Sequence, residues 1–178
     1  TERLVGSEMC IRDRSIVGYP ILPLVEQLSE KVEGNFGQFC HWGATTQDIM
    51  DTADVLQIRK GLELLSKDLK SISDALEKIV EYHIKTPMAG RTHLQHALPI
   101  SFGYKASTWL SGIDRHHKRL EEIKKRIFNV SFFGAAGTLA SLGEHDGLKT
   151  QSTLAEELDL NVPDVCLLYT SPSPRDAQ

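Results

Sequence analysis

Apolar residues in the middle of the chain recur at alternating steps of three and four. From Asp48 to about His83 they run Val55, Ile58, Leu62, Leu65, Leu69, Ile72, Leu76, Ile79, with no proline and a single glycine. That spacing is a heptad seam, the pattern with which long helices pack at shallow angles. It predicts one helix of roughly 36 residues, a rod of about 54 Å at 1.5 Å per residue. Thr46 or Asp48 can cap its start. Thr86-Pro87 can stop it, because a residue before proline avoids the helical region. A second seam follows Pro99, a residue suited to a first helical turn: Ala106, Trp109, Ile113, His116, Leu120, Ile123, Ile127, Val130. A shorter amphipathic helix is expected near Leu148–Leu158, and no alternating strand pattern of useful length is visible. The fold class read from this is all-α, built on long antiparallel helices. Two such rods cannot bury both seams on each other, so further helices, from elsewhere in a longer protein or from partner subunits, must cover the remainder.

Composition narrows the possibilities without choosing among them. The 178 residues are 40% apolar and 25% charged, ordinary for a soluble globular protein. A net charge of −4 argues against a nucleic-acid module, which carries a basic face. No window approaches a membrane-spanning run, and Thr1-Glu2-Arg3-Leu4 has no apolar h-region, so no signal peptide is expected there. Cys10, Cys40 and Cys166 are too few and too scattered for a disulfide framework or a zinc cluster, so a cytoplasmic, reducing location is the expectation. Cys40 reads as a small buried side chain. The stretches Gly6–Arg14 and Cys166–Gln178 differ abruptly from the rest and read as foreign sequence at the edges of a fragment, or as a disordered tail.

Two polar clusters interrupt the helical pattern. His41-Trp42-Gly43-Ala44-Thr45-Thr46-Gln47-Asp48 leads into the first rod. Hydroxyls and backbone N–H groups gathered at a helix N-terminus favour a bound anion. Plain capping by Thr46 and Asp48 would also explain them, though not His41, Trp42 and Gln47. The second cluster is Gly90-Arg91-Thr92-His93-Leu94-Gln95-His96-Ala97-Leu98-Pro99, inside a linker of roughly fifteen residues, Thr86 to Ile100, long enough to be functional. Two histidines three apart suit proton transfer near neutral pH. They lack the i,i+4 spacing and the glutamate of zinc metalloproteases, and a purely structural polar loop is the alternative. His116 on the second seam reads as a satisfied core histidine. Gly134-Ala135-Ala136-Gly137-Thr138 lacks the lysine and the preceding strand of a phosphate loop, and reads as a tight-packing turn.

Three stretches together resemble the fumarase/aspartase superfamily of lyases: His41 to Thr52, Gly90 to Pro99, and Gly134 to Thr138. Within it, the branch holding adenylosuccinate lyase and 3-carboxy-cis,cis-muconate cycloisomerase is nearest, and the likeness runs from about Ser15 to Asp164. The resemblance implies a central helical bundle truncated here. Residues 1–47 would close an N-terminal domain, 48–164 would open the bundle, and 165–178 would be foreign or disordered. It implies a homotetramer, an active site assembled from several subunits, a small carboxylate substrate, and no metal or organic cofactor. The implied reaction is a stepwise anti elimination or its reverse. By that likeness Thr45 and Thr46 bind a substrate carboxylate, His93 is the general acid, His41 contacts substrate, and Gln95 and His96 bind or orient it.

Departures from the pattern set limits on this. Tyr19-Pro20 stands where adenylosuccinate lyases carry His-Asp, while Trp42 and Gln95-His96-Ala97 are closer to the cycloisomerase. Many bacterial cycloisomerases have Trp at the position of His93. The family's serine-bearing loop, Gly-Ser-Ser-x-Met-Pro-x-Lys, lies outside this sequence, so the chain alone is expected to be inactive. The rival from another class is a non-catalytic helical scaffold, which would need neither His93 nor the threonine pair.

Overall fold

The computed structural model describes residues 21–143 and 145–166. The suspect stretch at 6–14, Tyr19-Pro20, and the tail beyond Cys166 lie outside them. The helices are α1 (Ile21–Lys31), α2 (Thr46–Tyr82), α3 (Phe102–Ile127) and α4 (Asp146–Leu158), with short 3₁₀ turns at Phe36–Phe39 and Ala140–Leu142. The predicted rods and the shorter helix are therefore present, and the molecule is mainly helical. The chain forms two compact units. One takes the described residues up to Leu56 and from Phe128 onward, the other Gln57–Ile127.

In the first unit the core is small and well sealed. Val130, Phe132, Leu139 and Ala155 are buried, with Ala44, Leu142, Leu154, Leu158 and Leu160 packed around them. Val130, expected at the end of the second seam, is not helical. α3 stops at Ile127, and the chain runs on extended, with the Val130 amide donating to the Asn161 carbonyl and the Asn161 amide to that of Phe128. This pairing turns the apolar side chains at 130 and 132 inward against α4.

In the second unit the linker is the main correction. Residues expected as a polar loop form an antiparallel hairpin, β1 (Pro87–Thr92) and β2 (Gln95–Ser101). Thr92 pairs with Gln95 and Arg91 with His96, while Ala89 pairs with Pro99, so β2 carries one extra residue. Two residues against one is a β-bulge. It sits opposite Gly90, where a Cβ would meet the Leu98 carbonyl oxygen at 2.5 Å. At the hairpin's base the Phe102 amide donates to the Thr86 carbonyl and the Gly103 amide to that of His83. The rings of His83, Phe102 and Trp109 stack edge to face there.

The seams are only partly covered. Ile58, Leu65 and Ile72 remain close to half exposed along α2, as does Trp109 on α3. His116 is exposed, with Nδ1 3.3 Å from the Arg119 guanidinium, and is not a core histidine. Its neighbour His117 turns inward, leaving a buried Nε2 without a partner among the described residues. Cys40 is half-buried, more open than a core thiol.

Candidate functional site

The chain reaches α2 through a series of tight turns. The Cys40 amide donates to the Gly37 carbonyl, Trp42 to Phe39, and Ala44 to His41. His41 takes a φ of 66°, a left-handed conformation costly for a residue with a Cβ, and Gly43 follows at 81°. The His41 Nδ1 is buried with no hydrogen-bond partner among the described residues. A strained backbone and an unsatisfied side-chain nitrogen on one residue is a combination that packing alone does not favour. Trp42 lies half-exposed against Phe39, its Nε1 donating to the Ser141 carbonyl at 3.2 Å.

Of the two residues expected to cap α2, Asp48 does so and Thr46 does not. Thr46 is the first helical residue and makes no side-chain cap. Asp48 instead reaches back, its Oδ2 accepting the Thr45 amide at 3.0 Å. A carboxylate three positions after a threonine, bonding back to that threonine's N–H, is one half of a capping box. The hydroxyls of Thr45 and Thr46 engage no partner among the described residues. Gln47 is spent on the helix face, donating to Asp51 at 2.5 Å.

Asp48 does more than cap. It is 1% exposed. Its Oδ2 also accepts the Gly134 amide at 2.9 Å, and its Oδ1 accepts the Phe133 amide at 3.1 Å and the Ser131 hydroxyl at 3.3 Å. One turn along α2, Thr52 Oγ1 donates to the Ser131 carbonyl and accepts its amide, both at 3.0 Å. The glycine turn is thereby pinned against the approach to α2. Gly134 (φ 76°) and Gly137 (φ 74°) close it, with the Gly137 amide donating to the Gly134 carbonyl. A Cβ on Gly134 would lie 3.0 Å from the Gly43 carbonyl oxygen. The first and third of the three sequence stretches thus meet within one unit. Sequence reasoning missed the Asp48–Ser131–Phe133–Gly134 network; Thr45-x-x-Asp48 was its only local signal.

The second stretch forms the tip of the hairpin in the other unit. His93 and Leu94 are the two turn residues, Leu94 at φ 57° and 92% exposed. Residues 91–99 are all exposed, so His93, Gln95 and His96 stand in the open. His93 makes no hydrogen bond among the described residues. Gln95 and His96 occupy adjacent positions on β2, their side chains alternating across the strand. No group of three His, Cys, Asp or Glu side chains is gathered among the described residues, and no described helix is long and apolar enough to cross a membrane.

Comparison with known proteins agrees with this architecture. The profile of a protein family described as lyase matches residues 16–170, and the chain belongs to that family. It is 48% identical to trans-aconitate decarboxylase 1 of Mycosarcoma maydis over 145 residues, covering 82% of this chain and 29% of that protein. It is 43% identical to 3-carboxy-cis,cis-muconate cycloisomerase of Pseudomonas aeruginosa over 150 residues, 83% of this chain and 32% of that protein. Adenylosuccinate lyases are also among its relatives. The crystal structure of a fumarate lyase from Mesorhizobium sp. BNC1 superposes with a TM-score of 0.85 at 60% identity, over 90% of this chain and 37% of that one. The chain spans about 30% of the length of the curated relatives it matches.

Proposed function

We propose that the complete protein, of which this chain is a part, catalyses anti elimination or addition on a carboxylate-bearing, succinyl-like substrate, in the manner of 3-carboxy-cis,cis-muconate cycloisomerase. The observation that carries this is the start of α2, where the Thr45 and Thr46 hydroxyls have no partner among the described residues while the backbone beneath them is pinned by Asp48. Donors held in place before the reaction oppose negative charge as it grows on a carboxylate next to a carbanion. His93, open at the hairpin tip, acts as the general acid, and His41, Gln95 and His96 contact or orient the substrate. No metal is required in this scheme.

The half-exposed seam residues Ile58, Leu65 and Ile72 support assembly into a homotetramer, because such apolar stripes are covered by further helices. In that assembly the threonine pair and the His93 hairpin of different protomers meet around one substrate. Location in the cytoplasm fits a protein with few cysteines.

A second reading, adenylosuccinate cleavage releasing fumarate, draws on the relatives of that name. The relative named for trans-aconitate makes that tricarboxylate a third substrate to test. The experiment is to express the complete reading frame and supply 3-carboxy-cis,cis-muconate, adenylosuccinate and trans-aconitate separately, following each by absorbance or product analysis. Turnover of the carboxymuconate is expected, and His93→Ala should lower its rate by about 10² to 10⁴, the worth of a general acid. Turnover of none, or an unchanged rate in the variant, contradicts the scheme.

A further inference from the structure

A cap for α2 needs only one of the hydrogen bonds that Asp48 makes. The contact with the Thr45 amide completes the cap; the other three reach residues 83 to 86 positions away, at Ser131, Phe133 and Gly134. Asp48 is also the only titratable side chain among the described residues that is buried. A charge is costly to remove from water unless its hydrogen bonds are made, and here four donors surround two oxygens. Such a group persists where fixing a geometry is worth the desolvation.

We infer that Asp48 is a positioning residue for the carboxylate site, holding the Thr45 and Thr46 hydroxyls in fixed relation to the glycine turn at 134–138. The inference rests on the carboxylate-binding role given to those threonines above. The physical argument has two parts. First, Asp48 consumes the amides of Thr45, Phe133 and Gly134, which would otherwise form a backbone nest for an anion. The resident carboxylate fills that nest, so an incoming carboxylate is left to the threonine hydroxyls. Second, Thr45 is bonded through its own backbone to Asp48, so a shift of the carboxylate moves the hydroxyl-bearing residue directly. Displacements of about 1 Å in such a site cost up to about a hundredfold in rate. Asparagine at this position would keep the shape of Asp48 but aim an NH₂ at two donors, breaking one side of the clamp.

The test uses the complete protein, with fumarate as the dicarboxylate probe measured by calorimetry, together with KM and kcat on the accepted substrate. Three variants are compared: Asp48→Asn, Ser131→Ala, which removes one of the four donors, and Val130→Ala, which opens a cavity in the same unit's core among Phe132, Leu139 and Ala155 and removes none of the four donors. Asp48→Asn should weaken fumarate binding about tenfold or more and raise KM by a similar factor. Ser131→Ala should weaken binding about two- to tenfold, the worth of one hydrogen bond. Val130→Ala should lower the denaturation midpoint and leave fumarate affinity and KM unchanged. If Asp48→Asn behaves like Val130→Ala, losing stability but not affinity, Asp48 only stabilises the fold and the inference is overturned. Should Asp48→Asn fail to fold, Ser131→Ala decides, and unchanged affinity there overturns it. A wild-type protein that binds no fumarate overturns the carboxylate reading and this inference with it. A wild type that binds while the Asp48 and Ser131 variants match it overturns the inference alone.

Discussion

Replacing Thr52 with valine removes one oxygen and keeps the shape of the side chain. The oxygen is buried and serves Ser131 twice, accepting its amide and donating to its carbonyl, both at 3.0 Å. Each bond contributes about 0.5–1.5 kcal/mol net, and a buried amide left without an acceptor costs about 1–3 kcal/mol. The added methyl group returns about 0.8 kcal/mol at most, since the site is already buried. The balance is a destabilisation of about 2 kcal/mol, large against a total stability of about 5–15 kcal/mol. Urea unfolding of the complete protein, wild type against Thr52→Val, with the slope held in common, measures it. A loss below about 0.5 kcal/mol, the scatter of surface substitutions, would refute the reasoning. In that event the Thr52–Ser131 pair would not be holding the 131–134 segment to α2.

Two further outcomes follow from the same geometry. Thr45→Val with Thr46→Val removes the proposed carboxylate donors while keeping β-branched side chains; kcat/KM should fall by about 10² or more, as when donors to a developing charge are lost. Unchanged kinetics would take the threonines out of the site. Gly43→Ala places a Cβ at φ 81° and 2.6 Å from Leu142 Cδ1. It should cost about 1–3 kcal/mol in unfolding measurements, and a neutral result would mean that the turn before α2 relaxes freely.

How much of this was legible depended on the range of the signal. α2 could be read almost to its ends because a period of three and four persists through Val55, Ile58, Leu62 and beyond, with one glycine in its path. α3 was overrun at its C-terminus because Val130 continues the period by coincidence; tertiary pairing with Asn161 holds it extended. The hairpin was invisible for local reasons. Its turn is His93-Leu94 where Asn-Gly is the usual signature, a proline stands in each strand, and the bulge opposite Gly90 breaks the alternation. His116 and His117 are adjacent, and the seam period, which favours His116, points to the wrong one of the two.

The candidate site divides in the same way. Thr45, Thr46 and His93 belong to motifs visible in the sequence; the helix start that carries the threonines follows from nearby residues, whereas the hairpin turn that carries His93 does not. The pin between Asp48 and residues 131–134 spans more than eighty positions, and no periodicity encodes a contact of that range. The strain at His41 was equally hidden, because nothing in a sequence marks a non-glycine residue at positive φ.

The central claim is that the threonines at the start of α2 and the hairpin histidine of separate protomers serve one substrate. Mixing two complete proteins, one carrying Thr45→Val with Thr46→Val and the other His93→Ala, then dissociating and reassociating them together, tests it directly. Each variant alone should be nearly inactive, and the mixture should regain turnover, because some shared sites then receive an intact contribution from each parent. Mixed oligomers that form and remain as inactive as either parent would contradict the claim.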